Sequence, residues 1–417
     1  LTEKSDDGTT QNYGRIPFVI GDPRSAGAWR SADGAAAVVG VRMIGQPRYA
    51  LAWIDPRSVQ IVNDKDSLTK CDFLPDLSLG VCIREGLSLA PMLVKVRPRA
   101  RSITSLLSVS ARHSAITPLR VTPKIWTNKL GYSASGFIMW PRHYQSGRRY
   151  PAIVITHGSD ADDRFARPEL QWNYPAQLFA ERGYVVLLIN DPSLSQSATL
   201  SAAYDQWMSG KGSMAPEELQ RLIWLNGVYA FERAVEEMVD AGIIDPSRVG
   251  IAGYSRGSQM ANVAMTQSSA FRAASSGDGS YLEPYAYSTM FRSYDAVFGG
   301  SPYGPAIEQY RRLTPSLRAS AVRGAILQQL ASPLAGAMDF YRSLRDAGVP
   351  AQVTFYPGRD AGSDETHIFH VPANRKLAMR ENVAWFDFWL RNERSEIMPF
   401  PERYAIWAER SGGDSAR

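Results

Sequence analysis

The feature that most constrains this chain is the alternation of strands and helices that begins near residue 140. Two continuous apolar runs, YPAIVITHG (150–158) and GYVVLLIND (183–191), are typical of strands buried on both faces. A long amphipathic stretch, APEELQRLIWLNGVYAFERAVEEMVDAG, separates the second run from RVGIAG, and the later runs GAILQQL and PAQVTFYP lead to a closing amphipathic helix. Strands that alternate with helices form a mostly parallel, doubly wound sheet. The pattern therefore predicts an α/β domain.

A serine between two glycines follows the strand RVGIAG. The five residues are Gly253, Tyr254, Ser255, Arg256 and Gly257, and a helical stretch comes next. A serine on a tight strand-to-helix turn has its Oγ exposed above the sheet edge, and glycines are needed where side chains would clash with the neighbouring strand and helix. We interpret this segment as a nucleophile elbow with Ser255 as the nucleophile.

The backbone around this turn also predicts an oxyanion hole. The N–H of Arg256 directly follows the nucleophile, and such an N–H stabilises a developing oxyanion. A second donor is expected from the loop after 150–158, where the amides of Gly158 or Ser159 are the candidates. His157 closes that strand, and we interpret it as a packing residue of the loop.

The catalytic base follows by elimination, because the chain has five histidines. His113 and His143 precede the sheet, and His157 belongs to the loop just described. The α/β-hydrolase order is nucleophile, acid, histidine, which leaves His367 and His370 in GSDETHIFHVPANR. We favour His367, which comes first in the loop before the final helix, and expect His370 to be a wall residue.

Several stretches carry a family resemblance. DPSRVGIAGYSRGSQ, THIFHVPANR and ENVAWFDFWLR resemble the prolyl oligopeptidase family of serine peptidases, over roughly residues 130–395. NYPAQLFAERGYVVLLIND, FRAASSGDG and the spacing of His367, Pro372 and Ala373 resemble the lasso peptide isopeptidases of that family. The resemblance implies an α/β-hydrolase domain with a β-propeller. It also implies hydrolysis of the amide that joins an N-terminal amine to an Asp or Glu side chain in a threaded peptide ring.

The N-terminal part fits the propeller. Residues 1–115 contain short strand-like runs separated by turn-forming residues, and we expect them to be the last one or two blades of a propeller, with the hydrolase domain at 116–417. Blades are stable only when neighbours cover them, so we expect a second polypeptide to complete the propeller.

The triad acid is the open question. The resemblance places an acid after GAILQQL, yet residues 331–334 read ASPL and contain no carboxylate. Asp360, Asp364 and Glu365 lie in the loop before the histidine, and Asp339 lies on the next predicted helix. We favour Asp364 or Glu365 as the acid, with all four as solvated surface charges as the alternative.

Composition limits the partners and the compartment. The net charge of +5 comes from Lys and Arg scattered among Asp and Glu, which argues against nucleic acid as a partner, and no apolar run is long enough for a membrane span. The opening LTEKSDDGTTQ has no signal peptide and indicates a processed or truncated start. Cys71 and Cys82 are either two unpaired thiols or a disulfide across a hairpin. A disulfide would indicate an oxidising compartment such as the periplasm, with the cytoplasm as the alternative. We expect no metal or cofactor.

These observations predict a serine hydrolase that cleaves a peptide amide through an acyl-enzyme, with the isopeptide bond of a lasso peptide as the expected substrate. One alternative is a peptidase or esterase that acts on ordinary short peptides. Glu217 and Glu218 would then be candidates for binding a free N-terminus, although their position favours the first turn of a helix. The other alternative is a hydrolase-like binding protein that has lost catalysis.

Overall fold

The computed structural model describes residues 2–4, 10–12, 18–20, 25–43, 48–63, 65–87, 89–108, 118–157, 175–358 and 365–411. They fall into two compact units, which divide between Leu119 and Arg120. The boundary predicted between residues 115 and 116 lies outside the described residues, and the assignment of the first unit as one or two blades stays a prediction.

The first unit consists of antiparallel β-sheets. Its strands are β1 (Thr2–Lys4), β2 (Thr10–Asn12), β3 (Phe18–Ile20), β4 (Ala28–Arg30), β5 (Ala37–Met43), β6 (Tyr49–Asp55), β7 (Ser58–Ile61), β8 (Ser67–Phe73), β9 (Gly80–Gly86), β10 (Leu89–Arg97) and β11 (Ser102–Ser108). Strands β8 to β11 form a four-stranded meander in chain order, whereas β3, β5, β6 and β7 form a second sheet with β4 paired to β5. Separate antiparallel sheets of this size are the units of a propeller, and within the described residues they form no closed ring.

The two cysteines form a disulfide in this unit. Cys71 in β8 is bonded to Cys82 in β9, and Cys82 is fully buried with Val38, Leu68 and Val94 in an apolar core. Of the two alternatives left open by the sequence, the structure therefore shows the cross-strand disulfide.

The second unit is built on an eight-stranded sheet. Its strands are β12 (Val121–Thr127), β13 (Ser133–Met139), β14 (Tyr150–Thr156), β15 (Val185–Ile189), β16 (Ile244–Tyr254), β17 (Ala273–Gly277), β18 (Ala325–Leu330) and β19 (Ala351–Phe355). The order across the sheet is β12-β13-β15-β14-β16-β17-β18-β19. The pairings of β13 with β12 and with β15 are antiparallel, and the six strands from β14 onward are parallel to one another. Every residue of β14 and β15 is buried, as their continuous apolar runs predict.

Helices connect these strands and cover the sheet. They are α1 (Ala176–Glu181), α2 (Ala198–Ser209), α3 (Pro216–Gln220), α4 (Asn226–Asp240), α5 (Arg256–Gln267), α6 (Tyr287–Phe298), α7 (Ile307–Leu313), α8 (Ala335–Asp346), α9 (Pro372–Arg391) and α10 (Arg403–Arg410). The long helix predicted before RVGIAG is interrupted by one π-helical segment, Arg221–Leu225, between α3 and α4. Helix α9 packs closely on the central strand, since a Cβ on Gly250 would lie 2.6 Å from the ring of Phe386.

The sheet brings three strand ends side by side. Tyr254 of β16 pairs with Gly277 of β17, and Gly277 pairs with Gln329 of β18. Residues that directly follow these strands therefore meet at one edge, which is where ligands bind in open parallel sheets. In the part of the chain that the structure describes, no helix is long and apolar enough to cross a bilayer, and no cluster of three or more His, Cys, Asp or Glu residues is arranged to hold a metal ion.

Candidate active site

The turn between β16 and α5 holds Ser255 in a strained conformation. Its φ of 56° and ψ of −119° lie in a region that non-glycine residues rarely adopt. Strain of this kind costs about 1–3 kcal/mol and persists only where the surroundings impose it. Here the Ser255 amide donates to the carbonyl oxygen of Gly277 at 2.8 Å, which fixes the turn to the neighbouring strand.

The two flanking glycines are required by close backbone approach. A Cβ on Gly253 would lie 2.0 Å from the carbonyl oxygen of Gly257, and a Cβ on Gly257 would lie 2.2 Å from the carbonyl oxygen of Thr156. No side chain fits at either distance without movement of the backbone. The turn therefore has the sharp strand-to-helix geometry that the GxSxG pattern predicts.

His367 lies directly above this serine. Its Nε2 is 2.9 Å from the Oγ of Ser255, and its Nδ1 is 2.7 Å from the Oδ2 of Asp278. The imidazole is 44% exposed, whereas the Asp278 side chain is 5% exposed. A buried carboxylate thus faces one imidazole nitrogen and a hydroxyl faces the other, which is the arrangement of a serine, histidine and acid triad.

Asp278 is the residue that sequence reasoning missed. It directly follows β17, and its amide donates to the carbonyl oxygen of Gln329 at 2.8 Å. Its Oδ1 accepts the N–H of Ala331 at 3.0 Å, so the carboxylate is bound on both oxygens. The acid stands one strand earlier than the position after β18 where we looked for it. A signal was available, because Asp278 lies in FRAASSGDG, where an acidic residue stands between two glycines after a run of small residues.

The carboxylates favoured from the sequence do not face His367 in the described residues. Glu365 accepts hydrogen bonds from backbone amides of its own loop and from Asn374, and the Nδ1 of His367 is taken by Asp278. The expectation that Glu365 is the acid is therefore wrong for this geometry. Asp360 and Asp364 lie outside the described residues. Asp339 is on α8, where burial raises its pKa, and it makes no contact with His367 that would orient the ring.

The other two histidines near the site have separate surroundings. His370 places its Nδ1 2.7 Å from Glu365, and its side chain is 54% exposed. The buried His157 donates its amide to the Oδ1 of Asn190 at 3.1 Å at the end of β14. Neither contact directs the imidazole to Ser255, which agrees with the choice of His367 as the histidine closest to the serine.

Of the three predicted oxyanion donors, Arg256 lies within the described residues. Arg256 is the first residue of α5, so its amide belongs to a helix N-terminus beside Ser255. Its guanidinium is held by other partners, because Nη2 donates to the carbonyl oxygen of Ile223 at 2.6 Å and the group lies 5.0 Å from the rings of Trp207 and Trp224. Gly158 and Ser159 lie outside the described residues.

The segment after Asp278 contains two groups whose pKa values are raised, Tyr281 and Glu283. Burial raises the pKa of the Tyr281 phenol, and the charge of Asp278 raises it further. Burial raises the pKa of Glu283 to about 8, although the Ser316 amide donates to its Oε2 at 3.1 Å. A fully buried and mostly neutral carboxylic acid therefore lies five residues beyond the triad carboxylate.

Sheet order, elbow and triad geometry together define an α/β-hydrolase of the serine type. The sequence profile of the prolyl oligopeptidase family matches residues 168–393, more than half of the chain. The chain belongs to the prolyl oligopeptidase family.

Two curated proteins resemble the chain in sequence. The lasso peptide isopeptidase AtxE2 of Asticcacaulis excentricus is 24% identical over 291 residues, which is 67% of this chain and 39% of that protein. A probable dipeptidyl-peptidase 5 of Aspergillus terreus is 24% identical over 265 residues, which is 60% of this chain and 33% of that protein. The chain thus matches well under half the length of these relatives.

Solved structures show the same fold. A variant of AtxE2 isopeptidase with Astexin3-dC4 bound superposes with a TM-score of 0.76 at 18% identity, over 99% of this chain and 61% of that one. A puromycin-hydrolysing peptidase of Mycobacterium tuberculosis superposes with a TM-score of 0.67 at 17% identity, over 92% of this chain and 57% of that one. These matches extend over both units of the chain and support the assignment of an α/β-hydrolase preceded by propeller-type sheets.

Proposed function

We propose that this protein is a serine peptidase that hydrolyses a peptide amide through an acyl-enzyme, and that its substrate is the isopeptide bond of a lasso peptide. The observation that carries the peptidase chemistry is the His367 imidazole, which lies within 2.9 Å of the Ser255 hydroxyl and 2.7 Å of the buried Asp278 carboxylate. The likeness to AtxE2 supports the choice of substrate.

The geometry supports an acyl transfer in two halves. Ser255 Oγ attacks the amide carbonyl while His367 Nε2 takes its proton, and Asp278 stabilises the resulting imidazolium through Nδ1. The imidazolium then protonates the leaving amine, so the C–N bond breaks and an ester to Ser255 remains. Water attacks this ester with His367 as the base and releases a free carboxyl group. For an isopeptide, the leaving amine is the N-terminus and the released group is an Asp or Glu side chain.

This chemistry does not distinguish an isopeptide from an ordinary amide, because the serine machinery is the same for both. Specificity for a threaded ring must come from the shape of the substrate-binding surface. The alternative of ordinary short peptides has one observation in its favour, the match to a probable dipeptidyl-peptidase. The alternative of an inactive binding protein fits poorly with a complete Ser255, His367 and Asp278 arrangement.

The test uses one threaded lasso peptide and the linear peptide of the same sequence, with Ser255→Ala as the control. Ring opening adds one water to the mass of the threaded peptide, and we expect this product with the wild-type protein only. Cleavage of linear peptides but not of the threaded one would favour the ordinary peptidase. Absence of fluorophosphonate labelling at Ser255 would favour the binding protein.

We also propose that a second polypeptide completes the propeller. The outer strand β11 supports this, since its last five residues are exposed and Leu106 and Leu107 are 49% and 61% exposed. An apolar, exposed outer strand is a surface that other strands cover. Intact-mass measurement under denaturing conditions should show a second species beside the 46.1 kDa chain. A single 46.1 kDa species that is stable and active by itself would contradict the proposal.

The compartment we propose is an oxidising one such as the periplasm. The Cys71–Cys82 disulfide supports it, because disulfides persist mainly in oxidising environments. Fractionation of cells that express the natural gene would test the proposal, and recovery of the protein with both thiols reduced in the cytoplasm would contradict it.

A further inference from the structure

The loop that carries His367 is held from two sides by groups that do not touch the reacting atoms. We propose that Glu365 and Tyr254 are positioning residues, which fix this loop so that the His367 imidazole stays between Ser255 and Asp278. The inference rests on the proposed function, because it assigns a purpose to the placement of that imidazole.

Glu365 gathers hydrogen-bond donors from both sides of His367 in the chain. Its side chain is fully buried, and Oε1 accepts the amides of Thr366 at 3.1 Å and His370 at 2.7 Å. The His370 Nδ1 is also 2.7 Å from Oε1. Oε2 accepts the amide of Val371 at 3.3 Å and the Nδ2 of Asn374 at 2.8 Å. One carboxylate thus closes the whole turn from 365 to 371.

The same carboxylate ties the loop to the rest of the domain. Asn374, in the first turn of α9, donates from Nδ2 both to Glu365 and to the carbonyl oxygen of Pro357, just beyond β19. Burial raises the pKa of Glu365, but the hydrogen bonds from Asn374 and the loop amides outweigh burial and hold that pKa below its ordinary value. Glu365 is therefore ionised at neutral pH, and all of its bonds in the loop are accepted ones.

Tyr254 holds the loop from the nucleophile side. Its hydroxyl donates to the carbonyl oxygen of His367 at 2.6 Å, and its ring centroid lies 5.7 Å from that of the imidazole. The ring packs closely against Gly277 of β17, because a Cβ on that glycine would lie 2.1 Å from it. Tyr254 directly precedes Ser255, so one residue links the backbone of the nucleophile to the backbone of the base.

These contacts matter because His367 has little packing of its own. Its side chain is 44% exposed, and both neighbours in the chain, Thr366 and Ile368, are exposed. The position of the imidazole must therefore be fixed by the hydrogen bonds that the loop backbone makes and by the hydrogen bond to Asp278. A small error in its position has a large effect on rate, since a misplacement of about 1 Å can cost about a hundredfold in catalysis.

The test compares Glu365→Gln and Tyr254→Phe with a matched control, Asp387→Asn. Asp387 is a fully buried carboxylate on α9 whose partners are Arg182 and Tyr184, away from the His367 loop. The readouts are the rate of fluorophosphonate labelling of Ser255 and the low-field proton signal of the His367 Nδ1–H bonded to Asp278, both measured well below the unfolding temperature. A carboxamide has only one acceptor oxygen, so Glu365→Gln turns an NH₂ group toward loop N–H donors.

We expect Glu365→Gln to lower the labelling rate about tenfold to a hundredfold and to broaden or shift the low-field signal. Tyr254→Phe, which removes one hydroxyl, should lower the rate about threefold to tenfold. The control should label within about twofold of wild type even if its unfolding temperature falls. If Glu365→Gln does not fold, Tyr254→Phe decides the matter.

Wild-type labelling rates and an unchanged low-field signal in either folded variant would overturn the inference. Failure of the isopeptidase proposal has a different signature, because wild type would then still label at Ser255 but would not open the threaded peptide. Labelling reports on the serine and the imidazole alone, so the positioning roles stand or fall separately from the substrate.

Discussion

The nucleophile turn and the histidine loop carry adjacent parts of one site, yet they are built in opposite ways. Ser255 is positioned by its own neighbours: a strained φ of 56° and glycines two residues away on each side. The loop of His367 is closed by Glu365, but the imidazole also depends on groups from far along the chain, namely Asp278, 89 residues earlier, and Tyr254, 113 residues earlier. The steric requirements of the turn can be recognised in the sequence from its glycines. The distant contacts of the loop leave no recognisable pattern in the sequence.

The largest loss of kcat is expected from changes to Ser255 and His367, which is where the nucleophile turn and the histidine loop meet. Ser255→Ala should reduce kcat by about 10⁶, and His367→Ala should be nearly as damaging, because members of a triad act as a unit. The double variant should be no slower than either single one. Steady-state hydrolysis with a sensitive fluorogenic amide measures the losses, and circular dichroism checks that the fold is kept. Additive losses would show that the serine and the histidine act independently.

Loss of the triad acid Asp278 should cause the second-largest fall in kcat. Asp278→Asn leaves the shape of the side chain unchanged but favours the wrong imidazole tautomer, so kcat should fall by about 10⁴. Substrate binding should hardly change, because the Asp278 carboxylate is buried behind the imidazole. Single-turnover kinetics measure the chemical step. The matched variant Glu365→Gln should reduce the rate of the chemical step far less. An equal loss of rate in the two variants would contradict the assignment of Asp278 as the acid and Glu365 as a positioning residue.

The close backbone packing of the nucleophile turn predicts a stability effect. In Gly257→Ala the new methyl group would meet the backbone of Thr156 at 2.2 Å, so the strand and helix must separate. We expect the free energy of unfolding to fall by about 1–3 kcal/mol, as for other overpacked sites. Urea denaturation measures it, with Gly131→Ala as a control for a glycine that has open space around it and a positive φ. A smaller loss at Gly257 than at Gly131 would contradict the steric explanation.

The pH dependence of stability should reflect the buried acid beyond Asp278. Because the pKa of Glu283 is raised from its ordinary 4.5 to about 8, the folded chain keeps a proton that the unfolded chain releases between these pH values. The free energy of unfolding therefore falls as pH rises through this window. Glu283→Gln removes the titration, so the Tm of the variant relative to wild type should rise from pH 5 to pH 8. Parallel Tm profiles over this range would contradict a raised pKa.

Features that depend on local sequence were predicted correctly, whereas features that depend on contacts between distant segments were not. The parallel strands were predictable because buried runs such as β14 and β15 are almost entirely apolar, and the elbow because sterics demand glycine at 253 and 257. The disulfide stayed open, since spacing alone does not place two sulfurs together. The acid was not found, because its identity depends on which strand end lies beneath the imidazole, and the Gly-Asp-Gly sequence at 277–279 does not by itself show that Asp278 reaches His367.

The break in the long helix before β16 was also not predicted. Pro216 stands at its start as expected, but the π-helical segment at 221–225 places the carbonyl of Ile223 where the Arg256 guanidinium binds it. π-helical turns are rare and often lie at functional sites. Four consecutive apolar residues stand at 222–225, so the pattern does not show where one extra residue enters a turn.

The hydrogen bond from the Ala331 amide to Asp278 shows that two strand ends converge on one spot below the imidazole. The triad requires negative charge at this spot, and both strand ends lie close enough to contribute to it. Here the end of β17 supplies the carboxylate and the backbone after β18 supplies a donor to it. A chain with no acid after one strand can therefore have a complete triad through the strand beside it.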